Sequence, residues 1–172
     1  MTLIAISIII ATVIFVVYNV ICLELFGVPH SLSMTYYLWK ETNGKGWIFS
    51  LMMYVVVALM MPAWIVMSEG SDYQFLSFLA PTAIAFVGAA PAFMGSRLEN
   101  RVHSVSAIFA AGCSLAWVVL VTPYWYSILI WFAVAALRCA MTKSLKTSTI
   151  YWLEYIAFGA TFMSAIMYSF HV

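Results

Sequence analysis

The sequence predicts an all-α fold, a polytopic integral membrane bundle of six transmembrane helices with both termini extracytoplasmic. Three observations carry that prediction. Of the 172 residues, 66% are hydrophobic and 8% charged, against about 45–50% and about 25% in a soluble domain. The apolar residues fall into six stretches, each near the roughly 20 residues that cross about 30 Å of hydrocarbon. Every Lys and Arg lies in or beside alternate connections between those stretches. Six spans use most of the chain, so residues 1–172 form a single transmembrane domain with no room for a soluble one.

The elements follow in order. The first helix covers 3–23. It lacks a basic n-region and a small-x-small cleavage site and exceeds a signal h-region, so it reads as a retained helix. A long connection, 24–45, contains an interfacial or re-entrant segment over 29–40, capped by Ser31 or Ser33. The polar, glycine-rich stretch ETNGKG at 41–46 precedes a second helix over 46–67, which Trp47 and Trp64 bracket. SEGSD at 68–72 then separates it from a third helix at 74–94. GSRLENR at 95–101 leads into the fourth, 103–121. A break at Thr122 and Pro123 is required, because 103–142 would otherwise be twice the bilayer. It opens the fifth helix, 124–142, and TKSLKTS at 142–148 precedes the sixth, 149–170.

Charge orients this arrangement. Lys40 and Lys45 fall in the first connection, Arg97 and Arg101 in the third, and Lys143 and Lys146 in the fifth, with Arg138 just before it. All seven basic residues therefore share one side, which the positive-inside rule makes cytoplasmic. Offset by Glu24, Glu41, Glu99 and Glu154, that side carries +3, while Glu69 and Asp72 leave −2 outside. The whole chain carries only +1, which offers nucleic acid no basic field. Three separated cysteines, Cys22, Cys113 and Cys139, read as packing residues and give neither a disulfide framework nor a zinc knuckle.

Small residues are dense in the third, fourth and sixth helices, among them Gly88, Ala111 and Ala160. Close backbone approach drives helix association in lipid, so these helices should form the centre. Pro62 and Pro81 should kink the outer halves of the second and third helices, either for shape or to line an outward cavity.

Few polar groups could carry chemistry. Arg138 and Glu154 are each eight residues from Lys146, which places them at matching depths in antiparallel helices. A salt bridge is expected, serving either as a latch or as a ligand site. On the first helix Ser7, Ala11, Tyr18 and Cys22 share a face, with Asn19 beside it. Asn19, Glu24, His30, Arg101 and His103 lie toward the same side as the Arg138–Glu154 pair, so the seven could form a cytoplasmic binding pocket. Ordinary interfacial anchoring is the competing reading.

No catalytic set, metal set or cofactor motif is assigned. HExxH, HxxxH, a Gly-rich phosphate loop and GxSxG are all missing. Arg97 and His103 have the R-x5-H spacing of HEPN ribonucleases, but that motif works in a soluble helical pair. Alkaline ceramidases and adiponectin receptors are similar in topology only, for the chain has no Ser-x3-His.

The segments FGVPHSLSMTYY at 26–37 and FVGAAPAF at 86–93, with Val102 and His103 following, carry a broader likeness. In them the chain resembles an uncharacterised family of small polytopic membrane proteins of Bacteroidota and their tailed phages. The resemblance implies a bacterial inner membrane and no particular activity.

Three functions fit. The favoured one is a non-enzymatic bundle that binds, senses or passes a small molecule, ion or lipid. The alternatives are an intramembrane lipid-modifying enzyme acting from the cytoplasmic side through His103, Glu154 and Glu24, and a phage-borne partner protein that modifies the envelope. The expected partners are the lipid bilayer, a small-molecule or lipid ligand, and further copies of the chain in a homo-oligomer.

Overall fold

The computed structural model describes residues 3–144 and 146–171. Leu145, in the fifth connection, lies outside them, as do Met1, Thr2 and Val172. The described residues are all-α, with seven helices: α1 (Leu3–Phe26), α2 (Thr35–Asn43), α3 (Trp47–Met67), α4 (Leu76–Ala89), α5 (Arg97–Val121), α6 (Ser127–Thr142) and α7 (Thr149–Ser169). Four of them, α1, α3, α5 and α7, are long and apolar enough to cross a membrane, while α4 and α6 are apolar but shorter. The chain is a multi-pass helical membrane protein.

Local chemistry explains the boundaries. α1 runs three residues beyond the expected 3–23 and stops at Gly27, whose φ of +72° is the left-handed conformation that favours glycine. Ser31 then caps a 3-10 turn, Leu32–Met34, by accepting the Met34 N–H at 3.2 Å. The expected interfacial segment over 29–40 is thus this turn followed by α2. α4 is shorter than the expected 74–94, because Pro91 disfavours helical backbone at Ala90, where φ is −115° and ψ 54°. α5 begins six residues before the expected Ser/His boundary at 103. Ser96 accepts the Glu99 N–H at 3.1 Å, so a polar first turn forms ahead of the apolar run. Pro62 and Pro81 lie inside α3 and α4, and each removes one backbone hydrogen bond from its helix.

Half of the membrane-length window of α7 is buried, against 28–39% in the other three long helices, so α7 holds the centre. It packs against α1, α5 and α6. Ala157, Ala160 and Ala165 bring it close to its neighbours. Phe15 of α1 stacks on Phe158 at 4.5 Å and meets Phe162 at 5.3 Å. Gly159 shows the closest approach, since a Cβ there would run into the Trp131 ring of α6.

Polar contacts tie each end of the bundle. At one end the Met94 N–H donates to the Tyr37 hydroxyl at 2.7 Å, joining the α1–α3 and α4–α5 connections. The Tyr151 N–H donates to the His30 carbonyl at 3.1 Å, and Ser148 Oγ to the Val28 carbonyl at 3.3 Å, adding the start of α7. The three connections rich in Lys and Arg therefore meet at one end. At the other end Trp117 Nε1 donates to Ser68 Oγ at 2.8 Å, and the Trp117 ring lies 5.6 Å from that of Trp64.

Candidate functional site

The polar residues of the basic end converge on the 3-10 turn. Glu154, on the second turn of α7, accepts the Leu32 N–H on Oε2 at 2.6 Å. The Leu32 carbonyl accepts Thr35 Oγ1 at 2.6 Å, and Thr35 Oγ1 lies 2.5 Å from the Tyr18 hydroxyl of α1. Beside this chain, the Tyr151 hydroxyl reaches Asn19 Oδ1 at 3.4 Å, while Asn19 Nδ2 donates to the Phe15 carbonyl at 2.8 Å. Tyr18, Asn19, Thr35 and Tyr151 are all buried. A backbone N–H inside the bundle needs an acceptor, and at Leu32 a side chain 122 residues distant supplies it.

Behind Leu32 lies a narrow cavity of about 50 Å³ lined by the turn, α3, α4, α5 and α7. Its wall is mostly aliphatic and aromatic, with Glu154 and the hydroxyls of Ser33, Ser114 and Thr161 as its polar members. One water needs about 10–15 Å³ on this measure, so the space suits a few waters or an ion and is too small for a metabolite. Trp64 also lines it, and the Trp64 indole N–H has no hydrogen-bond partner among the described residues. Pro81 stands in the wall of α4 as well.

The seven residues grouped from the sequence do not share a pocket. Only Glu154 reaches the cavity, and it is not paired with Arg138: its carboxyl takes the Leu32 N–H, while Arg138 is exposed on α6. The expected salt bridge is corrected on that ground. Equal depth leaves open the rotation of each helix, and Arg138 is exposed while Glu154 is engaged at Leu32. Asn19 lines a separate groove between α1 and α7. His103 is buried, with Nδ1 2.9 Å from the Ala90 carbonyl and its ring stacked on Phe93 at 4.6 Å. It locks the α4–α5 connection and does not line the cavity. Arg101 borders a shallow depression with Phe93 and Arg97. Glu24 and His30 are exposed, although the His30 backbone carbonyl belongs to the network. Among the described residues no three of His, Cys, Asp or Glu stand close enough to share a metal ion.

Sequence reasoning missed Leu32, Thr35, Tyr151, Ser114 and Thr161. Tyr18 was grouped with Ser7, Ala11 and Cys22 on one face of α1, but its partner could not be named. Hydroxyls in apolar helices were the available signal; which of them face one another depends on helix rotation. No protein family, curated protein or solved structure matches this chain.

Proposed function

We propose that the protein is a six-span bundle of a bacterial inner membrane that binds a small ion at Glu154 and senses or passes it through the central cavity. In this reading the basic end is cytoplasmic and both ends of the chain are extracytoplasmic. Support for the topology comes from the three connections rich in Lys and Arg lying together. At 14 and 16 residues, α4 and α6 are about 21 and 24 Å long, and the irregular segments beside them complete each crossing. The choice of a bacterial inner membrane rests only on the resemblance read from segments 26–37 and 86–93.

One observation carries the functional reading: a carboxyl in the wall of a mostly apolar cavity within the bundle, large enough for a few waters. An ionisable side chain at such depth is costly to keep and marks an ion or proton path by default. The turn at Leu32–Met34 stands between the cavity and the basic end, held by the Glu154–Leu32 bond. Ion binding at Glu154 would compete with that bond, which couples occupancy to the position of the turn.

The test is ion and proton flux in proteoliposomes, with imposed Na⁺, K⁺ and pH gradients, for the wild type and Glu154→Gln. Glutamine keeps an acceptor for the Leu32 N–H and removes the ionisable group. Flux above that of empty vesicles, lost in the variant, is expected. Flux unchanged by Glu154→Gln, or none above empty vesicles together with no ion-dependent protection of Glu154 from a hydrophobic carbodiimide, would sink the reading.

A further inference from the structure

A second feature lies on the outer side of the bundle. α1, α6 and α7 leave between them a lateral groove of about 300 Å³, six times the volume of the central cavity. Gly159 forms its floor, because only a glycine lets the Trp131 ring lie so close to α7. Val16 and Val20 form its rim on α1 and are 48% and 51% exposed. α1 has a mean hydropathy of 2.7 over its membrane-length window, so this rim faces hydrocarbon.

Arg138 is not among the residues that line the groove; it lies beyond them on α6, toward the basic end. It follows Trp131 by seven residues on α6, which places it on the same helix face and about 10 Å further along. Arg138 is exposed and has no carboxylate partner among the described residues. It lies about one turn inside the end of α6 at Thr142, from where an arginine extends to headgroup level. Asn19 lines the inner half of the groove and has committed one amide hydrogen to Phe15.

We propose that this groove is a binding site for an anionic phospholipid. One acyl chain lies between α1 and α7 over Gly159, and the phosphate is held by the Arg138 guanidinium. The remaining amide hydrogen of Asn19 faces the ester region. Charge selects the occupant: an exposed guanidinium at headgroup level attracts an anion, and its planar fork matches two phosphate oxygens. The site is independent of Glu154 and the central cavity.

Native mass spectrometry of the full chain in detergent tests this, with phosphatidylglycerol and phosphatidylcholine of identical acyl chains added at equal concentration. The wild type should retain phosphatidylglycerol about tenfold better, a ratio matching the worth of one charge-assisted contact. Arg138→Ala should remove that preference, and Arg101→Ala should keep it. Val20→Trp, which fills the groove, should reduce retention of both lipids. Arg138 and Val20 are exposed, so neither change disturbs the core, and circular dichroism checks this. Equal retention of the two lipids, a preference that survives Arg138→Ala, or a lipid-free dimer broken by Val20→Trp would each overturn the proposal.

Discussion

Glu154 Oε2 accepts the backbone N–H of Leu32 at 2.6 Å and so pins the α1–α3 connection to the central helix of the bundle. The bond spans 122 positions of sequence and closes the inner end of the cavity. Removing the acceptor should therefore loosen the turn. Glu154→Ala is expected to cost about 1–3 kcal/mol, the price of a hydrogen bond to a charged group or of a buried donor left unmade. Glu154→Gln should cost less. Thermal unfolding in detergent measures the difference, and a cysteine placed at Ser33 should become reactive in the Ala variant first.

Trp117 and Ser68 form a comparable tie at the opposite end, buried in both partners. Trp117→Phe and Ser68→Ala should each destabilise the bundle. Because they break the same bond, the double variant should be milder than the sum by about 0.5–1.5 kcal/mol. Strict additivity in a double-mutant cycle would show that the indole contributes through packing alone.

Gly159 and Trp131 test the close approach of α6 and α7. A methyl group at 159 would collide with the Trp131 ring, so Gly159→Ala should cost about 1–3 kcal/mol through overpacking. Adding Trp131→Leu should restore much of the loss. Equal melting temperatures for Gly159→Ala and the wild type would place these helices further apart.

Sidedness follows from the gathering of basic connections at one end. Cysteines at Lys45, Arg97 and Lys146 should all react with an impermeant thiol reagent from one face of the membrane, and cysteines at Glu69 and Asp72 from the other. The native thiols Cys22, Cys113 and Cys139 are buried and should label slowly. Labelling of Arg97 and Lys45 from opposite faces would mean that either α3 or α4 fails to cross.

The legible part of the site was limited to residue type. That Glu154 lies at membrane depth follows from its distance to Lys146 and the rise of a helix. That it bonds Leu32 and not Arg138 does not, because every apolar stretch here is hydrophobic on nearly all faces. With no polar face to mark the outside, periodicity assigns no rotation. His103 illustrates the same limit: a histidine at a helix entrance invites a chemical role, yet stacking on Phe93 and the Ala90 carbonyl occupy it.

The sequence by itself determined the solvent, the number of apolar segments and the gathering of cations at one end. Those properties depend on the length of hydrophobic runs and on charge count, which are additive along a chain. Tertiary structure alone decided that a turn in the first connection docks on α7, that a small cavity forms beside Glu154, and that Arg138 is exposed and not bonded to Glu154. Each of these depends on how helices rotate and how closely they approach, and that is set by small residues such as Gly159 meeting large ones such as Trp131.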